Sequence, residues 1–305
     1  MKRLPFLFFT AALLSAVSCE VQPLPAEQPE NRTVTFTASY ETPEKSTRTQ
    51  RTEDGTVLWM PGNTISVQYL TGYYYKSKFT TGITQPSASA TFSGTLPEYR
   101  QFEECVAIYP FYEYDFVDDY DETEDVFRLV ITIPAEVTAV PGTFADGSFY
   151  SLARSKDTNL HFRHLTGGVK FSVTTAGITE VTLEAPPVDG LDNRLSGYAR
   201  IDLYADRVEL SPSQFSEPPR TVTLKCPEGE TLIPGQWYHI VTLPTSLPEG
   251  FTLIFKTADK WGKRVISKPV TIQSGRFGVL ANADASAEWK GYQGNLEDYG
   301  FEPID

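Results

Sequence analysis

A run of alternating apolar and polar residues near the middle of the chain constrains the fold most strongly. Between positions 159 and 175, similar side chains recur at every second residue, first over 160–165 and again over 169–173. A period of two is typical of a β-strand with one buried face. Gly167 and Gly168 separate the two runs, so the pattern predicts a strand, a kink and a second strand. We expect this stretch, called the seam below, to begin a second β-domain packed closely on the first.

The rest of the chain carries the same signal in shorter pieces. Short runs rich in Val, Thr, Tyr and Phe are separated by turn residues, and no helical period is sustained. These runs predict strands at 33–40, 65–69, 73–80, 88–92, 105–109, 127–133, 180–183, 199–203, 207–210, 221–226, 237–243, 251–257, 264–266 and 270–272, with a turn over 259–262. A chain of 305 residues is long enough for two domains. We therefore predict an all-β protein of two antiparallel β-sandwich domains, at 33–158 and 159–282, followed by a tail at 283–305.

The first residues have the pattern of an export signal. Lys2 and Arg3 precede an apolar run that is shorter than the ~20 residues of a membrane-spanning helix, and small residues lead up to Cys19. The arrangement looks like a bacterial lipoprotein signal, which predicts removal of residues 1–18 and lipidation of Cys19. A plain signal peptide with an incidental cysteine is the alternative. Residues 19–32 are rich in Pro, Glu and Gln and are predicted to form a disordered tether.

The charge of the chain excludes some partners. The formal net charge is −13, from 26 basic and 39 acidic residues. Removal of residues 1–18 takes away Lys2 and Arg3, which leaves 24 basic residues and a charge of −15. Such a surface is a poor partner for nucleic acid or anionic lipid headgroups. Membrane attachment would then have to come from a lipid anchor.

Two local features each allow two interpretations. The acidic run at 118–125 could bind calcium, but it lacks the spaced carboxylates of a calcium loop, which favours a solvated hairpin loop. Tyr73 and Tyr75, together with Trp261, could stack on a glycan. Tyr is also a common strand residue, so alternation alone accounts for Tyr73 and Tyr75.

The cysteines and histidines do not indicate a reactive centre. After Cys19 only Cys105 and Cys226 remain, one in each half, and we favour two buried thiols over a disulfide. His161 and His164 lie three positions apart on a predicted strand and so point to opposite faces. The chain lacks the nucleophile elbow, the zinc-binding helix motif and the phosphate-binding glycine loop. We expect no enzyme activity, no catalytic residue, no metal site and no cofactor, although a carboxylate pair brought together by the fold would escape notice.

An ordered set of motifs gives the chain a family resemblance. T-F-T-A-S-Y is followed by T-R-T, D-G-T-V-L-W-M-P-G-N-T-I-S-V, A-I-Y-P and F-R-H-L-T-G-G-V-K-F-S-V. This order resembles the fimbrillin-like proteins of Bacteroidetes, which are lipoprotein precursors and accessory proteins of surface pili. The resemblance covers most of the chain from residue 33 to about residue 280. It implies two transthyretin-like β-sandwich domains in tandem.

The resemblance also implies a route of assembly. In that family, an arginine-specific protease cuts the first loop of the precursor, the first strand leaves, and a donor strand from another subunit takes its place. Arg48 and Arg51 lie in the polar loop after strand 33–40 and are the candidate cleavage sites. Val34, Phe36 and Ala38 would be the side chains of the displaceable strand. Alternatively, the two arginines are ordinary solvated charges and the protein is never cut.

The sequence thus predicts a lipid-anchored protein of the outer membrane and cell surface that acts through other pilus subunits, as a stalk, tip or anchor component. The main rival is a carbohydrate-binding or adhesin lipoprotein that does not polymerise. The tail at 283–305 could be a donor segment, a capping piece or disordered.

Overall fold

All regular elements in the described part of the protein are β-strands. The structure is a computed structural model that describes residues 32–40, 58–69, 77–96, 104–111, 119–121, 126–202, 207–210 and 219–291. These residues contain no helix that is long and apolar enough to cross a membrane. The predicted all-β class is confirmed for this part of the chain.

The strands are short and follow one another closely. Up to the seam they are β1 (Arg32–Tyr40), β2 (Thr64–Tyr69), β3 (Ser77–Thr81), β4 (Ser89–Leu96), β5 (Cys105–Tyr109), β6 (Asp119–Asp121), β7 (Val126–Ile133), β8 (Glu136–Thr138), β9 (Ser151–Ser155), β10 (Asn159–His164) and β11 (Gly167–Ser172). Beyond it they are β12 (Glu180–Glu184), β13 (Gly197–Asp202), β14 (Arg207–Leu210), β15 (Thr221–Lys225), β16 (Trp237–Thr242), β17 (Thr245–Leu247), β18 (Phe251–Lys256), β19 (Lys260–Ile266), β20 (Val270–Ile272), β21 (Phe277–Leu280) and β22 (Glu288–Gly291).

The first sheet is a closed barrel. Its seven strands follow the order β1-β10-β9-β5-β2-β3-β4, with β1 and β4 adjacent at the closure. Neighbouring strands are antiparallel except β1 and β10, which are parallel. The interior is filled by large side chains that include Trp59, Phe79, Phe92 and Phe162. This region, for which a sandwich was predicted, forms a closed barrel because β1 pairs with β10 as well as with β4.

A second core lies between two further sheets. The six-stranded sheet has the order β22-β19-β18-β12-β15-β8, and the three-stranded sheet has the order β16-β11-β21. Their buried residues, among them Phe171, Val181, Leu224, Ile240 and Phe255, form one cluster. This arrangement is sandwich-like, since two sheets share one core. The tandem transthyretin-like arrangement and the exact domain boundaries stay predictions.

A third cluster joins the barrel to the rest of the molecule. The four-stranded sheet β14-β13-β7-β6 contributes Ile131 and Ile201, and the barrel strand β5 contributes Val106 and Ile108. Leu165, between β10 and β11, is buried in the same cluster. Alternation explains why one strand serves two cores, because Cys105 and Ala107 of β5 point into the barrel while Val106 and Ile108 point outward.

The glycine pair in the seam marks a close backbone approach. β10 belongs to the barrel and β11 to the three-stranded sheet, so the strand partners change between His164 and Gly167. Gly168 has φ of +151°, and a Cβ there would lie 2.0 Å from the carbonyl oxygen of Ile240. A Cβ on Gly167 would lie 2.3 Å from the carbonyl oxygen of Gln273. Only glycine fits both positions, and both residues are buried.

Two local predictions are corrected or extended by the structure. The turn predicted at 259–262 is wrong, because Lys260–Ile266 forms β19 and the chain reverses just before it. The Thr257 hydroxyl accepts hydrogen bonds from the N–H groups of Asp259 and Lys260, so the turn closes over 257–260. Within the predicted tail, Glu288–Gly291 pairs with β19 as an edge strand, while residues 292–305 lie outside the described residues.

Candidate functional site

The first strand is held by backbone pairing on two sides. Eight residue pairs join β1 to β4, from Arg32↔Leu96 to Ser39↔Ser89. Four pairs join β1 in parallel to β10, from Thr37↔Asn159 to Tyr40↔Phe162. The N-terminal half of β1, up to Phe36, therefore has β4 as its paired neighbour in the described part of the chain, and the C-terminal half has two neighbours. We call the space that β1 occupies between β4 and β10 the β1 slot.

The side chains of β1 fill the barrel interior from one face. Val34, Phe36 and Ala38 are 8%, 4% and 0% exposed, whereas the threonines between them are exposed. The Phe36 ring packs edge-on against Phe79 with centroids 5.4 Å apart. Burial of Val34 and Phe36 contributes about 1.5–3 kcal/mol each. The three side chains predicted for the displaceable strand therefore plug the barrel core.

Trp59 anchors the end of β1. Its indole Nε1 donates a hydrogen bond of 3.1 Å to the carbonyl oxygen of Ala38, and its ring stacks on Tyr40 with centroids 4.6 Å apart. The same ring meets Phe92 and Phe162 edge-on at 5.0 and 5.2 Å. Trp59 is completely buried and thus links β1 to both strands that flank the slot. This role of Trp59 was not predicted, although a Trp shortly after the D-G-T turn was a visible signal.

The two cysteines are free in the structure and lie in different cores. Cys105 is buried in the barrel cluster, and Cys226 packs partly buried against the second core. Burial raises the pKa of Cys105 to about 12 and that of Cys226 to about 11. Both thiols are therefore protonated at neutral pH and are poor nucleophiles.

The histidines occupy three different environments. His161 is exposed on β10, and its Nδ1 lies 3.1 Å from the hydroxyl of Ser39. Burial lowers the pKa of His164 to about 3, so this ring is neutral at physiological pH. The Nδ1 atom of His239 lies 3.2 Å from the carbonyl oxygen of Thr143. Among the described residues, no cluster of His, Cys, Asp and Glu has the proximity that a metal site needs.

The remaining predicted sites are only partly described. Cys19, Arg48, Arg51, Tyr73 and Tyr75 lie outside the described residues. The backbone of the acidic run does pair as a hairpin, with Asp119–Asp121 antiparallel to the start of β7.

Trp261, the third candidate for glycan contact, is described. Its side chain is only 8% exposed, and the Lys256 Nζ lies over its ring at 5.1 Å from the centroid. Little of the Trp261 ring surface is therefore exposed for stacking on a sugar.

Comparison with known proteins gives structural likeness alone. No family model matches the chain, and no curated protein matches its sequence. A candidate cell adhesion protein of Bacteroides ovatus has a solved structure that is similar over 77% of this chain and 87% of its own, at 12% identity and a TM-score of 0.46. A second candidate cell adhesion protein, from Parabacteroides distasonis, is similar over 87% of this chain and 96% of its own, at 7% identity and a TM-score of 0.36.

Asp284 fixes the start of the predicted tail to the seam. Its carboxylate accepts hydrogen bonds from the N–H groups of Thr174 and Thr175, both at 2.7 Å, and from the Thr174 hydroxyl at 3.0 Å. Burial by itself would raise the pKa of Asp284, but these hydrogen bonds outweigh it and lower the pKa. Residues after β21 are thereby tied to the end of β11.

We expect Asp284→Asn to lower the free energy of unfolding by about 1–3 kcal/mol at pH 7, because a neutral amide cannot accept all three bonds. The pKa of the Asp284 carboxyl is lower in the folded state than in the unfolded state. Its contribution to the free energy of unfolding is therefore complete above the ordinary Asp pKa of about 3.9, and it is lost as the pH falls through the folded-state pKa. Urea unfolding of both proteins at pH 7 and at pH 3 checks this. The difference in the free energy of unfolding between wild type and Asp284→Asn should be smaller at pH 3 than at pH 7. Asp189→Asn, at an exposed position, should leave the free energy of unfolding unchanged at both pH values.

Proposed function

We propose that this chain is a lipid-anchored cell-surface protein that joins pili as a structural, tip or anchor component through β-strand addition. The observation that carries the proposal is the position of β1. This strand is N-terminal in the barrel, and it plugs the core with Val34, Phe36 and Ala38. It lies between β4 and β10, each of which would be left with one unpaired edge without it. Unpaired strand edges are templates for another strand.

The covalent connections of β1 suit it to exchange. Residues 41–57 are its only link to the rest of the described barrel, and they contain Arg48 and Arg51. One cut there would leave β1 held by hydrogen bonds and packing alone. The paired residues and the buried Phe36 would keep it in place until a strand with similar alternation competed for the slot. Exchange, rather than simple loss, is the expected step, because an empty slot would expose the core to water.

The other predicted features fit this location. The lipid on Cys19 would hold the protein at the outer membrane, and the acidic surface would not bind nucleic acid or anionic lipid. Buried thiols with raised pKa values and a neutral His164 supply no evident nucleophile or general base. We propose a role without enzyme activity or cofactor, with other subunits as the partners.

Treatment of the full-length protein with an arginine-specific protease tests the proposal. We expect cutting after Arg48 or Arg51, so that N-terminal sequencing of the large fragment begins at Thr49 or Thr52. The cut protein should form ladders on unboiled gels. A synthetic peptide of residues 32–40 should suppress the ladders, because it refills the slot, and the same peptide with Phe36→Asp should not.

Variants supply the controls for this experiment. Arg48→Lys combined with Arg51→Lys should abolish both cutting and ladders. Arg276→Lys, at an exposed position outside the slot, should behave as wild type. Ladders of equal strength from the double variant, or cleavage inside the barrel instead of in the 41–57 segment, would contradict the proposal.

A further inference from the structure

A cavity of about 620 Å³ lies at one end of the barrel, outside the β1 slot. Its wall is built from four separate segments, which are the last residue of β1, residues 58–64, residues 109–111 after β5, and the loop 140–149. The volume is within the range of about 300–1,000 Å³ that is usual for small-molecule sites. No motif in the sequence pointed to it, because the segments are far apart along the chain.

The apolar part of the wall contains aromatic rings that are held in place, alongside aliphatic side chains. Tyr40 stacks on Trp59, and the Tyr109 ring meets Trp59 edge-on at 5.4 Å. Phe144 stacks on Phe149 with centroids 4.1 Å apart and an angle of 2° between the rings. Trp59 and Phe149 are themselves buried and hold the rings of Tyr40, Tyr109 and Phe144 in place, so the wall is formed before any ligand arrives. Pre-organisation of this kind reduces the entropy lost on binding.

The polar part of the wall contains hydroxyl and amide groups and a single charge. Asn63, Thr64 and Thr143 line the cavity together with the Asp146 carboxylate, the one charged side chain among the described lining residues. Asp146 is exposed and makes no hydrogen bond or ion pair with another described residue. Burial raises the pKa of Tyr109, the charge of Asp146 raises it further, and a hydrogen bond with the Asn63 side chain opposes the rise.

We infer that this cavity binds a neutral saccharide. Sugar hydroxyls both donate and accept hydrogen bonds, and they match a wall of hydroxyl groups, an amide and one carboxylate, while the apolar face of a sugar ring matches aromatic side chains. An anion would meet Asp146 and no cationic lining residue. A hard metal cation prefers several carboxylate or carbonyl oxygens, whereas this wall has one carboxylate. Trp261 is not among the lining residues, and the inference does not depend on strand exchange.

Saturation-transfer NMR on the uncut full-length protein tests this inference. The probes are four neutral disaccharides (maltose, cellobiose, lactose and chitobiose), with choline as the cationic probe and glucose 6-phosphate as the anionic probe. At least one disaccharide should give a signal that titrates to saturation, and neither charged probe should. Asp146→Asn should weaken that disaccharide at least tenfold, which is the effect of losing a hydrogen bond to a charged group.

The matched control is Asp189→Asn, which makes the same change of charge at an exposed position outside the cavity. It should leave the affinity unchanged. Thr143→Val is a second cavity variant that removes a hydroxyl but no charge, and it should weaken binding severalfold. Failure of all four disaccharides to bind, binding of choline alone, or equal effects of Asp146→Asn and Asp189→Asn would overturn the inference. Because no cleavage is involved, failure of pilus assembly would leave this result untouched.

Discussion

Replacing Trp59 with alanine is expected to lower the free energy of unfolding by about 3–5 kcal/mol, which is the usual cost of deleting a fully buried Trp or Phe side chain. The ring contacts Tyr40, Phe92 and Phe162, so its loss would leave a cavity where three barrel strands meet. The carbonyl oxygen of Ala38 would also lose its indole partner. Because whole domains are stable by only about 5–15 kcal/mol, the barrel would become marginal. Urea unfolding at pH 7 measures the change.

Two variants separate packing from the hydrogen bond at this site. Trp59→Phe keeps an aromatic ring but no donor, so the loss should be smaller, at about 1–3 kcal/mol. Trp237→Ala serves as the control, since that ring is only half-buried on β16 with the Lys170 Nζ over it at 4.9 Å. Its cost should be well below that of Trp59→Ala. If Trp59→Ala unfolds within 1 kcal/mol of the wild type, then Trp59 does not anchor β1.

A disulfide across the β1 slot is expected to abolish the proposed strand-exchange assembly completely and reversibly. Thr35 of β1 and Ser93 of β4 are directly opposite, and their hydroxyl oxygens are 2.9 Å apart. Opposed residues of antiparallel strands have Cα separations of roughly 4.5–5.5 Å, which lies within the range of disulfides. In Thr35→Cys/Ser93→Cys, oxidation should keep β1 in place after the arginine-specific cut. Ladders should disappear from unboiled gels and return on reduction.

The chain offers a closely matched control for this lock. Thr182 and Thr223 are opposed in the same way on β12 and β15, with hydroxyl oxygens also 2.9 Å apart, but they lie in the second half of the molecule. Thr182→Cys/Thr223→Cys should polymerise normally when oxidised. The native thiols should interfere little, because burial raises the pKa of both Cys105 and Cys226. Ladders from the oxidised slot variant as strong as those from the control would mean that β1 is not exchanged.

Several strands and their buried faces could be predicted because they depend on the local alternation of apolar and polar residues. The alternation of β1 identified the strand and its buried face within one residue of the observed start, and Val34, Phe36 and Ala38 are indeed the inward side chains. Strands β5, β14 and β20 were predicted with the observed ends. Prediction was weaker where side-chain hydrogen bonds decide the geometry. The turn before β19 is an example, because the hydrogen bond from the Lys260 N–H to the Thr257 hydroxyl sets its position.

The role of the glycine pair shows the limit of a local interpretation. Gly167 and Gly168 predicted a kink, and the partners of the chain do change there. The physical reason for glycine, however, is the approach of Ile240 and Gln273, which are 70 or more residues away in sequence. No pattern within the seam contains that information.

The sequence by itself determined which segments are strands and which of their faces are buried, because side chains in an extended chain alternate between water and the core. Only the tertiary structure decided which strands are neighbours, because every residue offers the same backbone hydrogen-bonding groups and the choice rests on long-range packing. The parallel pairing of β1 with β10, for example, joins two barrel strands that are more than 110 residues apart. The same long-range packing placed Trp59 over Ala38 and gathered Tyr40, Asn63, Tyr109 and Asp146 around one cavity.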